Sequence, residues 1–174
     1  MTHLTCRCGK TAITLSGPPI MTVDCCCTSC RTAAAQLQAL PGAPSILGPH
    51  GETRFAMQRK DRATLPAPAA MAAHRLTATS KTRRVVATCC NTALFLEFQG
   101  GHWISVYGSL WPTGTAPKAQ MRTMARDLPD PGILPTDIPN SRSQSPRFIW
   151  NLLRAWIAMG FSAPKIAVTG TLTP

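Results

Sequence analysis

Six of the eight cysteines in this chain fall in two short motifs, and the other two are adjacent. The motifs are Cys6-Arg7-Cys8 and Cys25-Cys26-Cys27-Thr28-Ser29-Cys30; the pair is Cys89-Cys90. Two residues between thiolates let both sulfurs converge on one ion, with bonds of about 2.3 Å. A Cys-x-Cys segment chelates in the same way, which serves Cys6 with Cys8 and Cys25 with Cys27. The metal favours the thiolate form and so reinforces its own ligand set. Thiolate-bound zinc is therefore the first expectation. Burial as a small hydrophobe suits a single cysteine, not a Cys-Cys-Cys-x-x-Cys run. A redox dithiol calls for a CxxC in a βαβ setting. A helix does follow Cys30, but no βαβ pattern surrounds it, and Cys6-x-Cys8 would go unexplained.

Ligand count sharpens the expectation. A closed structural zinc takes four ligands, whereas a catalytic zinc commonly keeps three and an open position. The eight cysteines divide into two closed sites, or into one closed site, one three-cysteine site and a spare. The second division is preferred. Cys25, Cys27 and Cys30 form a compact trio, and Cys26 between two of them points elsewhere.

The length of 174 residues suits one domain with a short extension. Sixteen Pro, twelve Gly and only 14% charged residues favour short strands and turns, hence a mainly β fold. The net charge is +11, from 18 Lys and Arg spread along the chain. Arg59-Lys60-Asp61-Arg62 and Lys81-Thr82-Arg83-Arg84 come nearest to clusters. Neither is a long basic run with interleaved aromatics, so nucleic-acid binding is disfavoured without being removed. The first residues lack the apolar core of a signal peptide, and no stretch reaches the roughly 18 to 20 apolar residues of a membrane span. A cytoplasmic location follows as the expectation. In a reducing cytosol clustered thiols read better as metal ligands than as disulfides.

Along the chain, Thr11 to Ser16, Ile20 to Val23 and Phe55 to Gln58 read as strands, as do His74 to Thr79 and Arg84 to Thr88. Ala93 to Phe98 and Trp103 to Tyr107 alternate around Gly100-Gly101, a hairpin pattern. A helix is expected after Cys30, stopped by Pro41-Gly42. Ala63 to Ala70 reads as irregular and Trp111 to Ser145 as loop, with a short helix near Lys118 to Arg126. The strongest helix runs over about residues 146–160, with Ser145 as cap and Pro146 in its first turn. It is apolar on most sides, so it is expected to pack on the domain or on a second copy of the chain. Glu97 reads as a solvated strand residue, His3 as terminal and unstructured or, in the alternative, as the supplier of a missing ligand, and His102 as a hairpin histidine beside core aromatics. A role for His102 near a metal, as acid–base group or ligand, is the weaker alternative.

Three segments together carry a resemblance: Cys6-Arg7-Cys8-Gly9, Cys25-x-Cys27-x-x-Cys30-Arg31, and Arg84-Val85-Val86-Ala87-Thr88-Cys89-Cys90-Asn91-Thr92. They resemble the glutathione-dependent formaldehyde-activating enzyme family, which includes proteins similar to centromere protein V. Residues 1–112 would form its zinc-bearing domain of stacked antiparallel sheets, and 113–174 an extension carrying the apolar helix. The resemblance implies two zinc ions. Cys6 and Cys8 would join Cys89 and Cys90 in a structural site, while Cys25, Cys27 and Cys30 would hold a zinc with an open position. It also implies a carbon–sulfur lyase acting on an adduct of glutathione, or another anionic thiol, with a small aldehyde. This sequence has Cys26 where the family usually carries His. It has Cys89-Cys90-Asn91-Thr92 where the family usually carries Phe-Cys-x-x-Cys-Gly, which leaves the last structural ligand open. The alternative reading is a non-enzymatic zinc module that binds protein or nucleic acid through its basic surface.

Overall fold

The computed structural model describes residues 1–172. Eleven short strands, two α-helices and five short 3₁₀ turns make up the regular structure of these residues. β1 (Thr2–Thr5), β2 (Ala12–Leu15) and β5 (Ala63–Thr64) form a small antiparallel sheet in the order β1-β2-β5. A second sheet has eight strands. In chain order these are β3 (Met21–Cys25), β4 (Thr53–Arg59), β6 (Met71–His74), β7 (Thr82–Ala87), β8 (Ala93–Phe98), β9 (Trp103–Tyr107), β10 (Met121–Thr123) and β11 (Gly170–Leu172). Across the sheet they lie β10-β3-β4-β9-β8-β7-β6-β11. The six inner strands pair antiparallel, while β10 and β11 join the two edges parallel to their neighbours. The fold is thus mainly β, with two sheets.

The central strands are buried on both faces, which is why β8 begins with Ala93, Leu94 and Phe95 fully enclosed instead of alternating in and out. On one face Leu4, Ile13 and Leu15 of the small sheet pack against Val85, Leu94, Ile104 and Val106. On the other, Ala34 and Leu37 of α1 (Thr28–Gln38) and Phe148 and Leu152 of α2 (Pro146–Ile157) pack against Val23, Phe55, Met57 and Tyr107. The large sheet is therefore the middle layer, between the small sheet and the helices. α1 follows β3 and leads into β4, which runs antiparallel to β3, so no parallel βαβ unit is formed. α2 begins as its sequence suggests: the Ser145 hydroxyl accepts the Phe148 N–H and Pro146 occupies the first turn. Ile149, Trp150, Leu153, Trp156 and Ile157 remain exposed along it. No described helix is long and apolar enough to cross a membrane.

Several local expectations are corrected. Lys118 to Arg126 is not a helix. Gln120 N–H donates to the Thr22 carbonyl, β10 continues along β3, Met124 turns left-handed at φ 58°, and a single 3₁₀ turn follows. Tertiary bonding overrides helix propensity there, because the buried Arg122 guanidinium binds the Pro135 carbonyl, Asp137 and Asn140. His3 is not unstructured: it lies in β1 opposite Thr14, and its ring meets the Thr14 hydroxyl at 3.1 Å. The strand expected over His74 to Thr79 ends at His74 and begins earlier, at Met71. Glu97 is not a solvated residue. It is buried, with Lys60 on one carboxylate oxygen and Arg83 on the other.

Candidate metal centres

Two thiol groups form, and between them they contain seven of the eight cysteines. In the first, Cys6, Cys8, Cys89 and Cys90 have their sulfurs all within 4.8 Å of one another. Cys6 and Cys8 sit on the tight turn between β1 and β2, where the Cys6 N–H bonds the Thr11 carbonyl and the Gly9 N–H bonds the Cys6 carbonyl. Cys89 and Cys90 sit on the turn between β7 and β8. That turn is closed by the Ala87 N–H on the Thr92 carbonyl, with the Asn91 N–H on the Ala87 carbonyl and Asn91 left-handed at φ 54°. Asparagine tolerates this conformation, and the resulting curl lets neighbouring cysteines face one point. The Arg7 N–H donates to the Thr92 hydroxyl at 3.1 Å and ties the two turns together.

The sulfur spacings suit a shared ion. Cys6 to Cys8 and Cys6 to Cys89 are each 3.6 Å, Cys8 to Cys89 is 3.3 Å, and Cys89 to Cys90 is 3.8 Å. A tetrahedral zinc with bonds of about 2.3 Å has sulfur–sulfur edges of about 3.8 Å. The four thiols thus have the donor type, number and spacing for a closed site. Desolvation and hydrogen bonds to its neighbours push Cys89 up to about 12, while the Thr92 hydroxyl and nearby backbone N–H groups outweigh burial and hold Cys90 down at about 6.

Cys25, Cys27 and Cys30 form the second group, again with all sulfurs within 4.8 Å. β3 delivers Cys25, Cys27 is the N-cap of α1, and Cys30 lies in its first turn. The Cys27 sulfur accepts the Cys30 N–H at 3.3 Å and meets the Ser29 hydroxyl at 3.3 Å. Hydrogen bonds from Cys25, then Cys30, then Ser29 hold the Cys27 thiol far below its ordinary value. Its place at a helix N-terminus acts in the same direction. Cys25 is pushed up to about 12, and Cys30 is raised well above its ordinary value, first because each shares its proton with a neighbour in the trio. Cys26 is left out, as its position between two ligands suggests. It is fully buried with Ala125, Leu128 and Leu134 and pushed up to about 11, first by that burial.

The trio opens on a cleft of about 590 Å³ between the large sheet and the helices. Its walls are mostly apolar, among them Phe55, Leu96, Phe98, Trp103, Phe148 and Ile149. Two charged residues line it, Arg84 from β7 and Asp127. Asp127 accepts the Thr28 N–H at 3.3 Å on its carboxylate, and its carbonyl accepts the Arg31 guanidinium at 3.0 Å. Asp127 carries no sequence signal, and Arg84, though part of a basic cluster and of the third cysteine segment, does not read as a site residue: Asp127 lies 99 residues beyond Thr28 and Arg84 lies 55 beyond Ser29.

His102 belongs to neither thiol group. It is buried, its ring stacked on Trp156 at 5.7 Å and edge-on to Trp103 at 4.9 Å, and burial holds its pKa below the ordinary 6.5. His3 lines a small cavity with Cys6 but is not part of the four-thiol group.

Fold and sites together define a mainly β protein with two cysteine groups able to hold metal ions. No protein-family profile matches the chain, and no curated protein does. Among solved structures the chain is similar to the crystal structure of a Rhodobacter sphaeroides protein from a structural-genomics programme. That similarity has 15% identity and a TM-score of 0.45, over 80% of this chain and 99% of the other.

Proposed function

We propose that this chain is a zinc protein of the glutathione-dependent formaldehyde-activating kind, acting as a carbon–sulfur lyase on the adduct of a thiol with a small aldehyde. The observation that carries the reading is an inequality between the two thiol groups. One offers four sulfurs on clasped turns; the other offers three, and those three line a cleft. Four thiolates complete a tetrahedral zinc, and three leave a position for an outside ligand. A zinc held by Cys25, Cys27 and Cys30 would supply a Lewis acid that lowers the pKa of a bound thiol and polarises a carbonyl oxygen.

The chain's own residues have definable parts. Cys27, whose neighbours and place at the helix start favour its thiolate form, is the sulfur best prepared to bind a cation. Cys25 and Cys30 give up their protons when the ion arrives, which makes occupancy fall with falling pH. Phe98, Trp103, Phe148 and Ile149 form apolar walls that limit water around a bound adduct. Asp127 anchors the start of α1 and so fixes Cys27 and Cys30 relative to the cleft.

Metal analysis of protein purified without added zinc tests the division: two zinc ions per chain are expected, falling to one in Cys30→Ser. The activity is tested by following the adduct of glutathione and formaldehyde. Zinc-loaded protein that neither binds glutathione nor changes the rate of adduct formation or breakdown sinks the reading.

A further inference from the structure

Arg84 is a buried cation without a carboxylate. It is 1% exposed. Its guanidinium donates to the Thr82 hydroxyl at 3.3 Å and to the Ser29 carbonyl at 3.1 Å, and its Nε has no partner. Among the described residues, the ion pairs belong to Arg54, Arg59, Lys60, Arg83, Arg122 and Arg126. Arg84 pairs with none of the acids. Burying a guanidinium without a counter-charge is expensive, and such groups are ordinarily paired. Of the residues lining the cleft beside the cysteine trio, Arg84 is the one cation. Its contact with Ser29 places it against the first turn of α1, the turn that carries Cys27 and Cys30.

Resting on the open three-cysteine site proposed above, we propose that Arg84 is a specificity residue that receives the carboxylate of the ligand, and that the ligands of this site are thiols bearing an acid group. The sulfur would occupy the open position, the carboxylate would meet the guanidinium, and the carbon between them would lie along Leu96, Phe98 and Phe148. Arg84 is near the trio, because it touches Ser29, which stands between Cys27 and Cys30 in sequence. A guanidinium is suited to this because it presents a planar fork of donors to a carboxylate. A thiol without an acid group would leave the guanidinium's free donor without an acceptor, and a cationic thiol would be repelled by it.

The test uses cobalt-loaded full-length protein, whose visible absorption reports a change of ligand at a thiolate site. Thioglycolate, mercaptoethanol and mercaptoethylamine are titrated in turn. Thioglycolate is expected to saturate the change at a concentration about tenfold to a hundredfold below that for mercaptoethanol, the ratio of a hydrogen bond to a charged group. Mercaptoethylamine is expected to bind most weakly. In Arg84→Met the advantage of thioglycolate is expected to vanish while the mercaptoethanol titration stays in place, and Arg84→Lys is expected to keep part of it. If no thiol alters the spectrum, the open site itself fails. Equal binding of thioglycolate and mercaptoethanol to the unmodified protein overturns the Arg84 assignment and leaves the open site standing. Loss of cobalt from the trio in Arg84→Met also overturns it, because Arg84 then serves as counter-charge to the thiolates. Should the methionine variant not fold, the ratio in the unmodified protein decides.

Discussion

Removing Cys6 and Cys8 together should abolish most of the stability that metal gives this protein. The reason is the length of chain the four-thiol group closes: Cys6 and Cys89 are 83 residues apart. An unfolded chain can bring such distant ligands to one ion only by closing that loop. The entropy of a cross-link over about 83 residues is worth roughly 4.5 kcal/mol. Cys25, Cys27 and Cys30 span one short segment, and an unfolded chain gathers them for about 2 kcal/mol. Metal at the trio therefore favours the folded state much less. The assay is thermal unfolding of zinc-loaded and chelator-stripped protein, for the natural chain and for Cys6→Ser/Cys8→Ser. Comparing loaded with stripped protein within each variant cancels the packing cost of replacing the buried Cys6. The double variant should lose about 4.5 kcal/mol of the metal-dependent increment, or about 9–18 °C in Tm for a chain of this size. An unchanged increment in the double variant would refute the reasoning. So would a larger loss from Cys27→Ser/Cys30→Ser.

Other outcomes follow from the same structure. Glu97→Gln should cost about 3–5 kcal/mol in urea unfolding, since it strands the buried Lys60 and Arg83 around a neutral amide. Leu152→Ala should cost about 2–5 kcal/mol because it empties a site between α2 and the sheet, whereas Trp150→Ser, on the exposed side of α2, should stay within about 0.5 kcal/mol. Burial holds both His74 and His102 below the ordinary 6.5, so the unfolded chain binds more protons as the pH drops. Their contribution is complete above about pH 7.5 and is lost as pH falls through 6.5 towards the folded values; the urea midpoint should drop over that window, and less so in His74→Gln.

What could be read in the sequence was local. Cys27 and Cys30 are three apart and meet on the first turn of α1; Ser145-Pro146 starts α2; Gly100-Gly101 turns β8 into β9. Each is set by neighbours within a few residues. The misses depend on partners far along the chain. Glu97 alternates like a surface residue, and only Lys60 and Arg83 meeting it make it buried. β10 is three residues long and exists because β3 offers an edge. The Cys89-Cys90 pair departed from a familiar spacing, yet a left-handed Asn91 and the Arg7–Thr92 bond bring both sulfurs to Cys6 and Cys8. Arg84 stood in a basic cluster and beside a cysteine motif without a role, because its importance lies in what does not accompany it.

The unequal spans of the two cysteine groups also set a clock. The trio is complete within a six-residue stretch, so all its ligands are present once that stretch leaves the ribosome. Cys8 is separated from Cys89 by 81 residues. At about 5–20 residues per second that interval lasts roughly 4–16 s. During it the Cys6 and Cys8 thiols are exposed on a nascent hairpin, with the turn that answers them not yet made. The order in which ligands become available is therefore written into the chain: the cleft-facing group has all of its sulfurs early, and the clasp gains its last two only after the turn between β7 and β8 is made.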